Sequence, residues 1–315
     1  MRKPELLTRL ALIPCILSGL LLSISSYAQQ QGSAQDWLEK MISAKQHESY
    51  SGVFTFIRGK DFNTMRISHE NRDGLVRENI YQLNGVTRNL LRKGDEIVCY
   101  HDATDPGELE HDLPLGPFSQ SFSELLTSFP DGYRLALRGR GRVADRSAVQ
   151  LSVQPRDNDR YGYRLWIDEA SGLLLQSHLI GSGRIREIFQ FSQVSIGEPI
   201  SDDVFSDVPV NAVSHHMSVN LKESDSAPSF KVKWLPNGFK TVRTSGNRLH
   251  FSDGIATFSI FIAKAKRLPE MATEVNGKAV VTRLLRGNNG QITIVGNVPI
   301  QMAKKVAESV EPVIY

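Results

Sequence analysis

The sequence predicts a mainly β, α+β protein with two parts. One is a large open β-barrel domain with helices on its concave side; the other is a small antiparallel-sheet domain with a C-terminal helix. Three observations predict it. Short runs rich in β-branched and aromatic residues succeed one another from residue 50 to 194, separated by Asp-Gly, Asn-Gly and Ser-Gly turns. A second such series begins near residue 230, beyond a polar stretch. Apolar residues recur at helical spacing in only three places, around 34–47, 118–129 and after Pro299.

The N-terminus reads as an export leader. Arg2, Lys3 and Arg9 precede an apolar core from Leu10 to Ile24, and Ser26-Tyr27-Ala28 is a small-x-small cleavage site. The apolar core is shorter than the roughly 20 residues a membrane anchor needs. Removing residues 1–28 takes away three basic residues and one acidic one, so the formal charge falls from +3 to +1. A near-neutral mature chain argues against a nucleic-acid partner. Cys15 leaves with the leader and Cys99 remains alone, so stability rests on apolar burial rather than on an internal disulfide.

Ser33-Ala34-Gln35-Asp36 resembles a capping box, and Trp37, Leu38, Met41 and Ile42 follow at helical spacing, which predicts a helix over 34–47. Strands are expected at 50–58, 63–70, 75–83, 86–93 and 96–101. Asp73-Gly74 and Asn84-Gly85 supply the left-handed backbone that tight hairpins require. After a Pro/Gly-rich loop, Phe118, Phe122, Leu125, Leu126 and Phe129 form the aromatic stripe of a short helix ended by Pro130. That helix either packs onto the sheet or plugs the mouth of the half-barrel. Strands resume at 133–143, 147–155, 161–168, 173–180 and 184–194.

Residues 211–229 lose the pattern and read as a linker between a domain at 29–210 and a smaller one at 230–315. The second series places strands near 230–235, 239–243, 247–252, 255–264, 278–286 and 291–296, with Pro299 opening a last helix. Pro236-Asn237-Gly238 is a tight turn that holds Trp234 and Phe239 on its two arms.

Chemistry-bearing motifs are missing from the chain. None of the eight histidines has a partner at metal-ligand spacing, and His215-His216 reads as a solvated pair. There is no nucleophile elbow and no phosphate-cradling glycine turn. The expectation is a binding protein without catalytic residues, metal or cofactor. Phe54, Phe56, Phe118, Phe122, Leu126 and Phe129 are the candidate lining of an acyl-chain cavity. Trp234 and Phe239 are the candidate anchors for a protein partner, and core packing is the competing role for both.

The chain resembles the MucB/RseB family of periplasmic regulators of the envelope-stress sigma factor. In the large domain the resemblance lies in Tyr50-Ser51-Gly52-Val53-Phe54-Thr55-Phe56, Val76-Arg77-Glu78 and Leu83-Asn84-Gly85. It continues in Arg142-Val143-Ala144-Asp145-Arg146-Ser147-Ala148, Pro155-Arg156-Asp157 and Arg160-Tyr161-Gly162-Tyr163. In the small domain it lies in Trp234-Leu235-Pro236-Asn237-Gly238-Phe239, Ser252-Asp253-Gly254 and Phe258-Ser259-Ile260-Phe261. Asp145 stands where the family pattern has glycine. The resemblance implies a large domain similar to the lipoprotein carriers LolA and LolB. It implies a partner, the periplasmic segment of a transmembrane anti-sigma factor, which the protein shields from proteolysis. It also implies release by lipid or lipopolysaccharide fragments, and self-association into a homo-oligomer. A lipid or lipoprotein carrier of the LolA type is the alternative; the second domain, which such carriers lack, separates the two.

Overall fold

The computed structural model describes residues 32–102, 131–208, 212–218, 230–245, 247–264, 268–285 and 290–313. The expected leader over 1–28 and the expected aromatic stripe with Phe118, Phe122, Leu126 and Phe129 lie outside the described residues.

Helix α1 spans Ala34–His47. The hydroxyl of Ser33 accepts from the N–H of Asp36, and the Asp36 carboxylate accepts from the N–H of Ser33, so two otherwise unpaired donors are satisfied. Leu38, Met41 and Ala44 form the buried stripe.

The strands that follow form one antiparallel sheet of eleven. They are β1 Tyr50–Arg58, β2 Asp61–Arg72, β3 Leu75–Gln82, β4 Arg88–Lys93 and β5 Glu96–Asp102. After them come β6 Tyr133–Val143, β7 Arg146–Pro155, β8 Gly162–Asp168, β9 Leu174–Gly181, β10 Arg184–Ile196 and β11 Ala212–Ser218. The order is β11-β5-β4-β3-β2-β1-β10-β9-β8-β7-β6. Pairing of β1 with β10 joins two meanders back to back. Among the described residues the sheet is open, with β11 and β6 as its edges.

Alternation decides which side is filled. Phe54 stands opposite Phe191 and Phe56 opposite Phe189. The Phe54 ring lies 5.1 Å from that of Phe189 and 6.0 Å from that of Phe191. These rings, with Met65, Ile67, Ile80 and Leu90, share one core with Leu38 and Met41 of α1, so α1 covers the sheet's inner face. Gly52 is required here: a Cβ would lie 2.4 Å from the carbonyl oxygen of Gln193.

The β6–β7 turn holds Asp145, where the resemblance leads one to expect glycine. Ala144 and Asp145 both hold positive φ, 48° and 64°. A left-handed non-glycine residue costs about 1 kcal/mol or more, part of which glycine returns through the unfolded chain's greater freedom. Asp145→Gly is therefore expected to raise stability by about 0.5 kcal/mol, read as a higher urea midpoint at unchanged slope.

The small domain begins with β12 Phe230–Val232, and its main sheet contains β13 Lys240–Ser245, β14 Arg248–Ser252, β15 Thr257–Lys264, β16 Met271–Val275, β17 Lys278–Leu284 and β18 Gly290–Gly296. Its order is β13-β14-β15-β18-β17-β16. Helix α2, Ile300–Ser309, buries Met302, Ala303, Val306 and Ala307 in the core that holds Phe251, Phe258, Ile292 and Ile294. Strand β19, Val310–Pro312, returns to pair with β12, so the ends of the domain are tied together.

Two expectations are corrected. The first half of the expected linker over 211–229 is strand: Ala212–Ser218 pairs along the whole of β5. Its polar composition is compatible with a sheet edge, where the backbone ladder supplies the attraction and only one face needs filling. Strand β16 lies in a stretch where none was expected, because an edge strand that is mostly exposed carries almost no alternation.

Candidate functional site: the seam between the two sheets

Residues 33–315 make one compact unit, and the described contact between its two sheets centres on a buried charge pair. Arg160 sits in the β7–β8 connection, two residues before β8. Asp253 sits in the β14–β15 turn, at the Asp253-Gly254 pair that reads as a hairpin in the sequence. Both side chains are fully buried.

Arg160 Nη1 donates to Asp253 Oδ2 at 2.6 Å, and Tyr133 Oη donates to the same oxygen at 3.1 Å. Asp253 Oδ1 accepts from the backbone N–H groups of Ile255 and Ala256, at 2.9 and 2.8 Å. Arg160 Nη2 donates to the carbonyl of Asn237 at 2.7 Å, and Nε donates to Asp157 at 3.1 Å. Charge and hydrogen-bonding capacity are thus met on both sides of the seam, the condition for burying an ion pair without a large penalty. Burial above all, and then the charge of Asp253, hold Tyr133 far above the ordinary phenol range.

The apolar surroundings come from both sheets. The guanidinium of Arg160 lies 5.3 Å from the ring centre of Tyr133 and 5.4 Å from that of Phe239. Ile255 packs into the large core. Gly132 gives Arg160 its room, since a Cβ there would fall on Nη1. Farther along the seam Arg186 pairs with Glu274, and Arg58 lies against Gly277.

The turn that the sequence assigned to Pro236-Asn237-Gly238 is formed, with the N–H of Phe239 donating to the carbonyl of Pro236 and Gly238 at φ 88°. Phe239 is a core residue of the small domain that also meets Arg160 across the seam. Trp234 is half-buried against the same core, with Lys305 Nζ 5.4 Å above its ring. Lys305 also reaches Asp159 of the β7–β8 connection at 3.3 Å. Phe54 and Phe56 lie elsewhere, 0% and 1% exposed inside the large core. The seam residues Arg160 and Asp253 were quoted in the sequence as parts of motifs, but 93 positions separate them and no spacing rule pairs them.

A second buried polar group lies on the inner face of the large sheet. His69 Nδ1 donates to Glu78 at 2.8 Å, and the ring of Tyr50 stacks on His69 at 4.8 Å. Burial pushes the Glu78 carboxyl up. The hydrogen bond and charge of His69 and the charges of Arg92 and Lys45 outweigh it, so the net direction is down. Burial acts likewise on Asp168 and is outweighed by Arg146 and Ser171. A carboxylate with a lowered folded-state pKa adds stability above its unfolded value, near 4, and loses it as pH falls through the folded value. Stability is expected to decline steeply below about pH 4. Glu78→Gln is expected to flatten that decline in urea titrations across the range.

Comparison with known proteins matches two family models, the MucB/RseB N-terminal domain over residues 33–209 and the MucB/RseB C-terminal domain over 224–311. The chain is 31% identical to the sigma factor AlgU regulatory protein MucB of Pseudomonas aeruginosa, covering 94% of this chain and 96% of that one. It is 26% identical to the sigma-E factor regulatory protein RseB of Escherichia coli, covering 94% and 95%. Among solved structures it is similar to MucB in complex with MucA(peri), with a TM-score of 0.71 and 30% identity over 90% of this chain and all of that chain. A crystal structure of MucB gives 0.66 over 89% of this chain.

Proposed function

Because the chain belongs to the MucB/RseB family, we propose that it is a periplasmic regulatory binding protein whose partner is the periplasmic segment of a transmembrane anti-sigma factor. The observation that carries this reading is the likeness, across both domains, to a MucB chain solved with MucA(peri). Binding shields the segment from regulated proteolysis. The seam adds a physical argument: a carrier built on the large sheet alone has no use for a second sheet fastened by a buried ion pair.

Trp234 is the anchor this reading favours. It is half-buried rather than enclosed, it borders the seam, and a large aromatic of that kind carries about 2 kcal/mol or more of binding energy. Phe239, enclosed at 6% exposure, acts from below by supporting the turn. Release by lipid or lipopolysaccharide fragments belongs to the same proposal. Its support is the apolar inner face carrying Phe54, Phe56, Phe189 and Phe191, and an acyl chain there must displace side chains that now touch one another. Self-association accompanies the regulatory role.

The test is affinity capture from periplasmic extract on the mature protein, with the principal bound protein identified by mass spectrometry. The anti-sigma factor is the expected capture, and addition of lipid A is expected to lower it. Recovery of lipoproteins in its place favours the carrier reading.

A further inference from the structure

His101 lies in β5 and His215 in β11, the edge strand that leads toward the small domain. In register His215 faces Cys99 and Val213 faces His101, so all four share the inner side of the sheet. The Nε2 atoms of the two histidines are 2.8 Å apart, their rings are within 9° of parallel, and the ring centres are 5.0 Å apart. The centre separation exceeds the nitrogen separation by about the two ring radii, so the imidazoles meet nitrogen to nitrogen in nearly one plane.

Such a contact needs one Nε2 to carry a proton and the other a lone pair. It survives one extra proton on the pair, because an imidazolium donates well to a neutral imidazole. Two extra protons put N–H against N–H and cation against cation. We infer that His101 and His215 form a proton-operated latch that fastens β11 to β5 at neutral pH and lets it go when both rings are charged.

The surroundings bear on the second proton. Arg88 of β4 stands opposite His101 in register and adds positive charge on the same side. Cys99 is neutral, its thiol pushed up by burial. On the other side of β11, His216 lies 3.5 Å from Glu96. The closed form holds fewer protons than the open one, so falling pH favours opening.

The experiment is hydrogen–deuterium exchange on the mature protein at pH 7.5 and 5.5, with labelling times scaled for intrinsic chemistry. Protection of 212–218 is expected to fall at least ten-fold at the lower pH while β1 and β2 stay unchanged. His215→Gln and, independently, His101→Gln keep a hydrogen-bonding side chain that does not titrate, and either is expected to abolish the step. Equal protection of the wild-type strand at both pH values overturns the latch. So does a step of full size in a folded glutamine variant.

Discussion

Arg160→Met is expected to cost about 3–5 kcal/mol in urea unfolding at pH 7. The loss does not measure the worth of the ion pair. It arises because Asp253, fully buried, is left charged with Tyr133 and two backbone N–H groups as its donors among the described residues. Arg160→Met with Asp253→Asn is expected to recover a large part of it, since the asparagine carbonyl can still accept from Ile255 and Ala256 while no charge remains unpaired. The single variant is also expected to separate the melting of the two sheets, because the pair joins one to the other. A loss below about 1 kcal/mol, the range of a solvated surface pair, contradicts the description of Arg160 and Asp253 as fully buried.

Phe54→Ala is the second large effect. Phe54 is 0% exposed and touches both Phe189 and Phe191, so truncation removes a ring from the centre of the aromatic cluster and leaves a cavity lined by its neighbours. The expected cost is about 3–5 kcal/mol. Phe62, 58% exposed on β2, is the control: Phe62→Ala is expected to change stability by no more than about 0.5 kcal/mol. The comparison also bears on the acyl-chain proposal. A residue lining an open cavity loses little on truncation, whereas a core residue loses several kcal/mol, and a thermal melt of the two variants separates the cases.

What was legible in the sequence follows from how far each signal reaches along the chain. The capping box at Ser33 and Asp36, the Asp73-Gly74 turn and the Pro236-to-Phe239 turn are formed as expected, because each is decided by residues within four positions of one another. The strand over 50–58 and its Phe54 and Phe56 were legible as candidate cavity lining, but nothing local could say that α1 would close over that face. The meeting of Arg160 with Asp253, and of His101 with His215, joins residues 93 and 114 positions apart. Such pairings are fixed by sheet order and by how the sheets meet, and local patterns carry neither. His215 illustrates the cost: adjacent to His216 in sequence, it reads as solvated, while pairing with β5 turns it inward and leaves His216 on the opposite side. Strands β11 and β16 escaped notice for the same reason, since edge strands need only one paired side and little apolar character.

The measurement that tests the central claim most directly is a titration of the labelled periplasmic segment of the anti-sigma factor with the mature protein, followed by fluorescence anisotropy. Saturable binding in the micromolar range or tighter is the predicted result, with Trp234→Ala weakened about 30-fold, equivalent to the 2 kcal/mol of a buried anchor, at an unchanged melting temperature. Wild-type protein that gives no saturable binding would contradict the assignment of this chain as an anti-sigma-factor regulator.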